Sequence, residues 1–298
     1  MRALAMTLAL VATTLAAPTA LAAPPDYGLP GSYPVAYSDV TAVANGRSVP
    51  ARVHYPATAA GTNQPVAAGR FPAIAFGHGF FQATSQYTST SNHLASWGFV
   101  VIVPTTQGGL SPSHGGFADD LNAGLAWLTA QDGTAGSRFR EHVDTGKLGA
   151  SGHSMGGGAA VLAAARNPKI TAISTYAAAE TTPSAKAAAA GLAAPAQFLA
   201  GSQDTIAPVV GHQRPIFAAK PPSRQLRTIT GGSHCGFMDS SGLFCDTGSI
   251  TRAAQLTAAK RVMTSWFRHY LAGDTAARDL VWGQPARTDA AVVFEGTE

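Results

Sequence analysis

The segment at residues 152–157, Gly-His-Ser-Met-Gly-Gly, constrains this 298-residue chain more than any other. A serine between glycines is typical of a sharp turn from a β-strand into an α-helix, where the serine is held in an exposed and strained position. The neighbouring glycines let the helix pass close to the strand. The flanking sequence agrees, since 147–151 has a half-apolar strand pattern and 156–167 has an Ala/Leu-rich helix pattern that ends at Pro168. We therefore predict that Ser154 is a nucleophile.

The N-terminal residues predict export from the cytoplasm. An arginine is followed by an apolar stretch at 4–17, and residues 20–22, Ala-Leu-Ala, have the small side chains of a cleavage site. A membrane anchor is the less favoured alternative, because the stretch is short for a bilayer span and Pro18 interrupts it. We predict a signal peptide at 1–22 and a single catalytic domain at 23–298, in a protein that is periplasmic or extracellular.

The composition disfavours several kinds of partner. Charged residues make up only 12% of the chain, the formal net charge is +4, and the 20 Lys and Arg residues are scattered without a basic run. Nucleic-acid binding needs clustered positive charge, so we predict no nucleic-acid partner, and also no stable membrane anchor. The sequence has neither a His-Glu-x-x-His pair nor a cysteine cluster with metal-ligand spacing, so we predict no metal and no organic cofactor. We expect a monomer.

The two cysteines, Cys235 and Cys245, lie ten positions apart. Oxidation is permitted in an exported chain, so we predict a disulfide, with two free buried thiols as the alternative. By chain entropy, closing a loop of this size stabilises the fold by about 3 kcal/mol. Asp239 and Asp246, near the two ends of the loop, are interpreted as turn residues or helix caps.

The hydrophobic pattern predicts an α/β fold. Segments 35–44 and 48–55 favour strands, and Asn45-Gly46 between them predicts an antiparallel hairpin. Later apolar runs alternate with helical patterns, which predicts a mostly parallel twisted sheet with helices on both faces. The later predicted strands are 71–77, 99–104, 147–151, 170–176, 196–201 and 225–230, and the predicted helices are 89–97, 117–129, 156–167 and 251–271. Residues 291–294 either add a short strand or cover the surface.

A serine nucleophile requires a base and usually a carboxylate that orients the base. In a strand-turn-helix scaffold the acid and then the histidine follow the serine, on loops at the carboxyl ends of later strands. His234 directly follows a predicted strand and is preferred over His269, which lies in a predicted helix, and over His212, which lies close to the best acid. That acid is Asp204, which follows a strongly apolar strand. We predict Ser154, Asp204 and His234 as a catalytic triad.

Acyl transfer also requires hydrogen-bond donors for a developing oxyanion. We expect one donor to be the backbone amide of Met155 and the other to be the amide of Phe80, in the glycine-containing loop after the 71–77 strand. A simple tight turn is the alternative for that loop. Phe81, the next residue, is predicted to contact substrate. His153 is interpreted as a structural residue.

Taken together, these motifs resemble those of the α/β-hydrolase superfamily, and more narrowly those of the secreted bacterial cutinases and poly(ethylene terephthalate) hydrolases of the dienelactone-hydrolase-like branch. The resemblance spans about 71–268 and is carried by Gly79-Phe80, the segment Ala-Ser-Trp-Gly-Phe-Val-Val at 95–101, the Gly-His-Ser-Met-Gly-Gly segment at 152–157, Asp-Thr-Ile-Ala-Pro-Val at 204–209 and Gly-Ser-His at 232–234. It implies Ser154, Asp204 and His234 as the triad, with the amides of Phe80 and Met155 forming the oxyanion hole.

The chain departs from these polyesterases at two places, and it is also short at the position where the superfamily usually inserts a lid. Where they commonly carry a tryptophan, this chain has Tyr176, which we predict to offer an aromatic face to substrate; a core or surface tyrosine is the alternative. The predicted disulfide lies at a shifted position beside His234. Residues 177–195, where a lid is usually inserted, are short and mostly alanine, so we predict an open, shallow cleft with little or no lid.

The sequence therefore predicts a secreted serine carboxylic-ester hydrolase that acts through an acyl-enzyme on bulky or polymeric esters, as cutinases do, or on lipid esters. A chlorophyllase-like enzyme, a thioesterase, a peptidase or an acyltransferase could use the same scaffold, since fold alone does not set the bond that is cut. A non-enzymatic binding protein is the less favoured class, because a binding role would not require the serine, the acid and the histidine together.

Overall fold

The computed structural model describes residues 25–44, 46–242 and 244–298. The predicted signal peptide at 1–22 and Asn45 of the predicted hairpin turn lie outside these residues. Among the described residues, no helix is both long and apolar enough to cross a membrane.

Ten β-strands of the described chain form one sheet. They are β1 (Val35–Ala44), β2 (Arg47–Pro56), β3 (Gly61–Thr62), β4 (Phe71–Gly77), β5 (Val100–Pro104), β6 (Val143–His153), β7 (Ile170–Tyr176), β8 (Ala196–Gly201), β9 (Arg224–Ile229) and β10 (Val292–Thr297). Their order across the sheet is β10-β9-β8-β7-β6-β4-β5-β2-β1-β3. The strands from β4 to β9 are parallel, whereas the β1–β2, β2–β5 and β9–β10 pairs are antiparallel. This confirms the predicted mostly parallel sheet with an antiparallel N-terminal hairpin.

The described residues also form eight α-helices. They are α1 (Thr88–Ser96), α2 (His114–Gly133), α3 (Met155–Arg166), α4 (Ala185–Ala189), α5 (Gln213–Ala219), α6 (Arg252–Tyr270), α7 (Arg278–Val281) and α8 (Gln284–Arg287). The four predicted helices correspond to α1, α2, α3 and α6. The other four have seven residues or fewer, too short to show a helical repeat in the sequence. Helix α2 begins before its apolar repeat, because the Ser113 hydroxyl caps it by accepting the Gly116 amide at 3.0 Å.

Helices cover both faces of the sheet, as predicted. On one face, α2 and α3 pack on the central strands through apolar side chains that include Phe117, Leu121 and Val161. On the other face, α1 and α6 bury Leu94 and Phe267. Because both faces are covered, β4 and β5 are buried along their whole lengths, which explains their continuous apolar sequences.

Cys235 and Cys245 form the predicted disulfide, with their Cα atoms 5.6 Å apart. The residues at the far C-terminus form β10, which pairs antiparallel with β9 at the edge of the sheet. Of the two alternatives for this segment, the strand is therefore the one that forms.

Two buried histidines, His54 and His93, predict a stability that depends on pH. Each ring makes one hydrogen bond, to the Asn92 side chain at 2.8 Å and to the Tyr27 carbonyl at 2.9 Å respectively. Burial lowers the pKa of both groups to about 4, from an ordinary value of 6.5. Below pH 6.5 the unfolded chain binds protons that the folded chain does not. The two histidines should therefore leave the free energy of unfolding unchanged above pH 6.5. Between pH 6.5 and pH 4, each should lower it by about 1.4 kcal/mol for every pH unit.

Urea unfolding at a series of pH values measures this dependence. His54→Gln, which cannot titrate but keeps an amide donor, should reduce the slope between pH 4 and 6.5 by about 1.4 kcal/mol per pH unit. An identical slope in the wild type and in this variant would contradict the assignment of a neutral, buried His54.

Candidate active site

Ser154 lies on a sharp turn between β6, which ends at His153, and α3, which begins at Met155. Its backbone has φ 55° and ψ −118°, a conformation that residues other than glycine rarely adopt. The turn also brings α3 against β4, since a Cβ atom on Gly156 would lie 2.2 Å from the carbonyl group of Gly77. Only glycine fits at that position. The strand-turn-helix predicted from the sequence is therefore present.

The topology of the sheet places this turn beside a crevice. The chain runs from β4 to β5 on one side and then crosses back to form β6 on the other side of β4. The connections that follow β4 and β6 therefore lead in opposite directions. Ligands of open α/β sheets bind at such a switch point, outside the carboxyl ends of the strands. The loop after β4 carries Phe80 and Phe81, and both line a cavity of about 380 Å³ together with Ser154.

Asp204 and His234 are joined by a hydrogen bond. They follow the adjacent parallel strands β8 and β9, and Asp204 Oδ2 lies 2.7 Å from His234 Nδ1. The other carboxylate oxygen, Oδ1, accepts the amides of Ile206 at 3.0 Å and Ala207 at 2.7 Å. A carboxylate only accepts, so His234 Nδ1 donates, and in the neutral form of the imidazole the lone pair is then on Nε2. His234 lines the same cavity as Ser154.

The alternative histidines lie elsewhere. His212 Nδ1 accepts the amide of Glu180 at 3.0 Å, and His269 stands next to Tyr270 at the end of α6. Neither lines the cavity. Of the three histidines considered from the sequence, only His234 lines the cavity that contains Ser154.

A buried network connects the loop after β4 with the loop after β9. The Gly79 amide donates to the Tyr87 hydroxyl at 3.0 Å, the Tyr87 hydroxyl lies 2.8 Å from His153 Nδ1, and His153 Nε2 lies 3.2 Å from the carbonyl oxygen of His234. Burial holds the pKa of His153 well below its usual range, so the ring is neutral. Its Nε2 must then donate to the carbonyl while its Nδ1 accepts from Tyr87.

The residues predicted to supply the oxyanion donors are Met155, which directly follows Ser154, and Phe80, which lines the same cavity as Ser154. Met155 is the first residue of α3, and the first amides of a helix have no partner within it. Phe80 is in the turn in which the Gln82 amide donates to the Gly79 carbonyl at 3.2 Å. The ring nitrogens of the buried His78 lie 2.8 and 2.7 Å from the carbonyl oxygens of Gly79 and Thr106, which ties this loop to the one after β5.

Large apolar side chains surround the mouth of the cavity and face solvent. The exposed fractions are 48% for Phe80, 61% for Phe81, 75% for Leu110, 46% for Ile206 and 96% for Phe244. Exposed aromatic and aliphatic groups grouped in this way mark a binding surface. The sequence analysis did not predict that Leu110, Ile206 and Phe244 lie at the cavity. Apolar residues within glycine- and serine-rich loops are a signal that could have identified them.

Tyr176 does not fit its predicted contact with substrate. The side chain is fully buried, stacks on Phe237 with ring centroids 5.0 Å apart, and is not among the residues that line the cavity. It stands at the end of β7 and faces the apolar layer beneath α6, as the core alternative foresaw.

The segment between β7 and β8 does not cover the cavity. It contains the short helix α4, whose Ala185 and Ala189 are buried in the layer formed by α2 and α3. None of the residues 177–195 lines the cavity that contains Ser154. The predicted small or absent lid is confirmed.

A strained serine turn at the switch point of a mostly parallel sheet, followed by an aspartate and a histidine after later strands, is the arrangement of an α/β-hydrolase. A family model described as PET hydrolase-like matches residues 27–296, and the chain belongs to this family. The predicted class, a carboxylic-ester hydrolase of the cutinase type, is thereby confirmed.

Several characterised proteins are similar to this chain. A bis(hydroxyethyl) terephthalate hydrolase from Streptomyces coelicolor is 28% identical over 251 residues, which cover 82% of this chain and 69% of the relative. Cutinase 2 from Thermobifida cellulosilytica and cutinase cut1 from Thermobifida fusca are each 30% identical over 167 residues, or 55% of this chain. This chain spans 60% and 50% of the lengths of these two cutinases.

Proposed function

We propose that this protein hydrolyses bulky or polymeric carboxylic esters through a Ser154-His234-Asp204 triad and an acyl-enzyme. The observation that carries the proposal is the 2.7 Å hydrogen bond between Asp204 and His234, because His234 lines the same cavity as the strained Ser154. In this proposal the imidazole of His234 is the base for the hydroxyl of Ser154.

In the proposed reaction, His234 Nε2 takes the proton of Ser154 as the serine oxygen attacks the ester carbonyl. The amides of Phe80 and Met155 donate to the oxyanion, and Asp204 stabilises the imidazolium. The C–O bond of the ester breaks, and the imidazolium passes its proton to the leaving alcohol. Water then enters, gives a proton to His234 and attacks the acyl carbon. The bond between that carbon and Ser154 Oγ breaks, the imidazolium returns its proton to Ser154 Oγ, and the carboxylic acid leaves.

The proposed substrate class follows from the rim of the cavity. Exposed side chains such as Phe81, Leu110 and Phe244 offer a broad apolar surface outside the cavity, beyond what a small ester would contact. Residues 177–195 do not line the cavity, so they leave its mouth open to a substrate chain that is longer than the cavity. The names of the relatives, cutinases and a bis(hydroxyethyl) terephthalate hydrolase, support esters of polyester type.

A substrate panel tests this function. We expect steady turnover of p-nitrophenyl esters, aromatic diesters and suspended polyester, with no lag and no jump in rate when an emulsion forms, because no lid has to open. Matched p-nitroanilide and thioester substrates serve as controls. Cleavage of an amide or a thioester without ester turnover would contradict the proposal, and a marked interfacial jump would contradict the open cleft.

We also propose that the protein is exported. The leader pattern at 1–22 and the disulfide between Cys235 and Cys245 support this, since disulfides persist in oxidising compartments. Intact mass measurement of the protein recovered outside the cytoplasm should give a chain that begins at Ala23. Recovery of the full-length chain from the cytoplasm alone would contradict export.

A further inference from the structure

Asp246 occupies a junction between the acid loop and the base loop of the proposed triad. Its Oδ2 accepts the amide of Thr205 at 3.1 Å and the amide of His234 at 2.9 Å, and its Oδ1 accepts the amide of Cys235 at 2.9 Å. Thr205 directly follows Asp204 in the chain. One carboxylate therefore holds the backbone on both sides of the hydrogen bond between Asp204 and His234.

We propose that Asp246 is a positioning residue, which sets the distance and angle between Asp204 and His234 by tying their two loops together. The inference rests on the proposed function, because it assigns Asp246 a role in the same triad. Hydrogen bonds from amides to a carboxylate are stronger than those to neutral acceptors, so three of them make a stiff link. A displacement of about 1 Å in a catalytic group can lower the rate about 100-fold, so a link that fixes the two loops would preserve the rate.

The disulfide keeps Asp246 at this junction. Cys245, the residue before Asp246, is bonded to Cys235, the residue after His234. The segment that follows is also tied to the acid loop, since the Ser249 amide donates to the Gln203 side chain at 2.7 Å. The loop closed by the Cys235–Cys245 disulfide, here called the cysteine loop, thus holds the carboxylate of Asp246 at a fixed place between the loops that carry Asp204 and His234.

The link supplements a direct contact between the two loops. The Gln203 amide donates to the Gly232 carbonyl at 2.8 Å, so the loops stay adjacent without Asp246. The loss of Asp246 should therefore leave the fold intact and loosen the geometry of the Asp204–His234 pair. We expect an intermediate loss of activity, smaller than the loss that follows removal of a triad member.

Asp239, on the other side of the same loop, offers a matched control. Its carboxylate accepts the backbone amide of Ser89 at 2.8 Å and also the hydroxyl of that serine, which anchors the cysteine loop to α1. It makes no hydrogen bond to Asp204, His234 or their loops among those found in the described residues. Asp239→Ala therefore removes an anchor of the loop without removing the link between acid and base.

The test compares Asp246→Ala, Asp246→Asn and Asp239→Ala with the wild type on a soluble p-nitrophenyl ester, with kcat expressed per active site titrated by an organophosphonate. For Asp246→Ala we expect kcat to fall about 10- to 100-fold with KM changed less than about twofold. Asp246→Asn, which keeps one acceptor oxygen, should retain an intermediate kcat. Asp239→Ala should lower the melting temperature and leave kcat per titrated site unchanged.

A spectroscopic readout separates positioning from simple stability. The proton on His234 Nδ1 should give a downfield proton resonance in the wild type and in Asp239→Ala, and this signal should shift or broaden in both Asp246 variants. If Asp246→Ala does not fold, the kcat and the proton resonance of Asp246→Asn test the positioning role instead. Wild-type kcat and an unshifted resonance in a folded Asp246 variant would overturn the inference, whereas an inactive wild type would overturn the proposed function itself.

Discussion

Replacing Ser154 with alanine is expected to lower kcat for ester hydrolysis by about 10⁶-fold, to the level that substrate binding and the oxyanion donors alone sustain. The hydroxyl is the only group of this residue that alanine lacks, so the strained turn should stay in place. Intact mass measurement should show that an organophosphonate adds to the wild type and not to the variant.

Ser151→Ala is the matched control for this substitution. Ser151 lies three residues earlier on β6, is fully buried, and places its hydroxyl 3.6 Å from the sulfur of Met263, away from the cavity. We expect this variant to keep its activity and its reaction with the phosphonate. A Ser154→Ala protein that retains turnover within tenfold of the wild type would remove the serine from the mechanism.

Asp204→Asn is expected to lower kcat by about 10⁴-fold while the protein remains folded. Oδ1 of Asp204 accepts the amides of Ile206 and Ala207, so the carbonyl oxygen of an asparagine should take that position. Its NH₂ group would then face His234 Nδ1, which would have to accept rather than donate. The proton would move to Nε2, and the imidazole could no longer accept the proton of Ser154.

Asp144→Asn, a half-buried aspartate on β6 remote from the cavity, is a suitable control and should keep its activity. The pH dependence of kcat and the melting temperature, measured for both variants, separate a tautomer effect from unfolding. Comparable kcat in Asp204→Asn and the wild type would indicate that another group orients His234.

The sequence by itself predicted the strand-turn-helix around Ser154, the alternation of strands and longer helices from Phe71 onward, and the disulfide between the two cysteines. These features depend on local patterns: apolar periodicity, glycines where backbones must meet, and two thiols with no other partner. It also singled out Asp204 and His234, because each follows a predicted strand in the expected order. The short helices α4, α5, α7 and α8 escaped prediction, since helices of this length are set by packing.

Tertiary structure alone decided which side chains face the cavity. Tyr176 and Phe81 are both aromatic residues near the ends of strands, yet one is buried against Phe237 and the other is 61% exposed at the rim. The sequence alone indicates only that Asp246 is an aspartate in a loop. It accepts three backbone amides because β8 and β9 lie side by side and bring their loops together. Such contacts join residues far apart in the chain, and their geometry depends on how the whole sheet twists and packs, which no local pattern encodes.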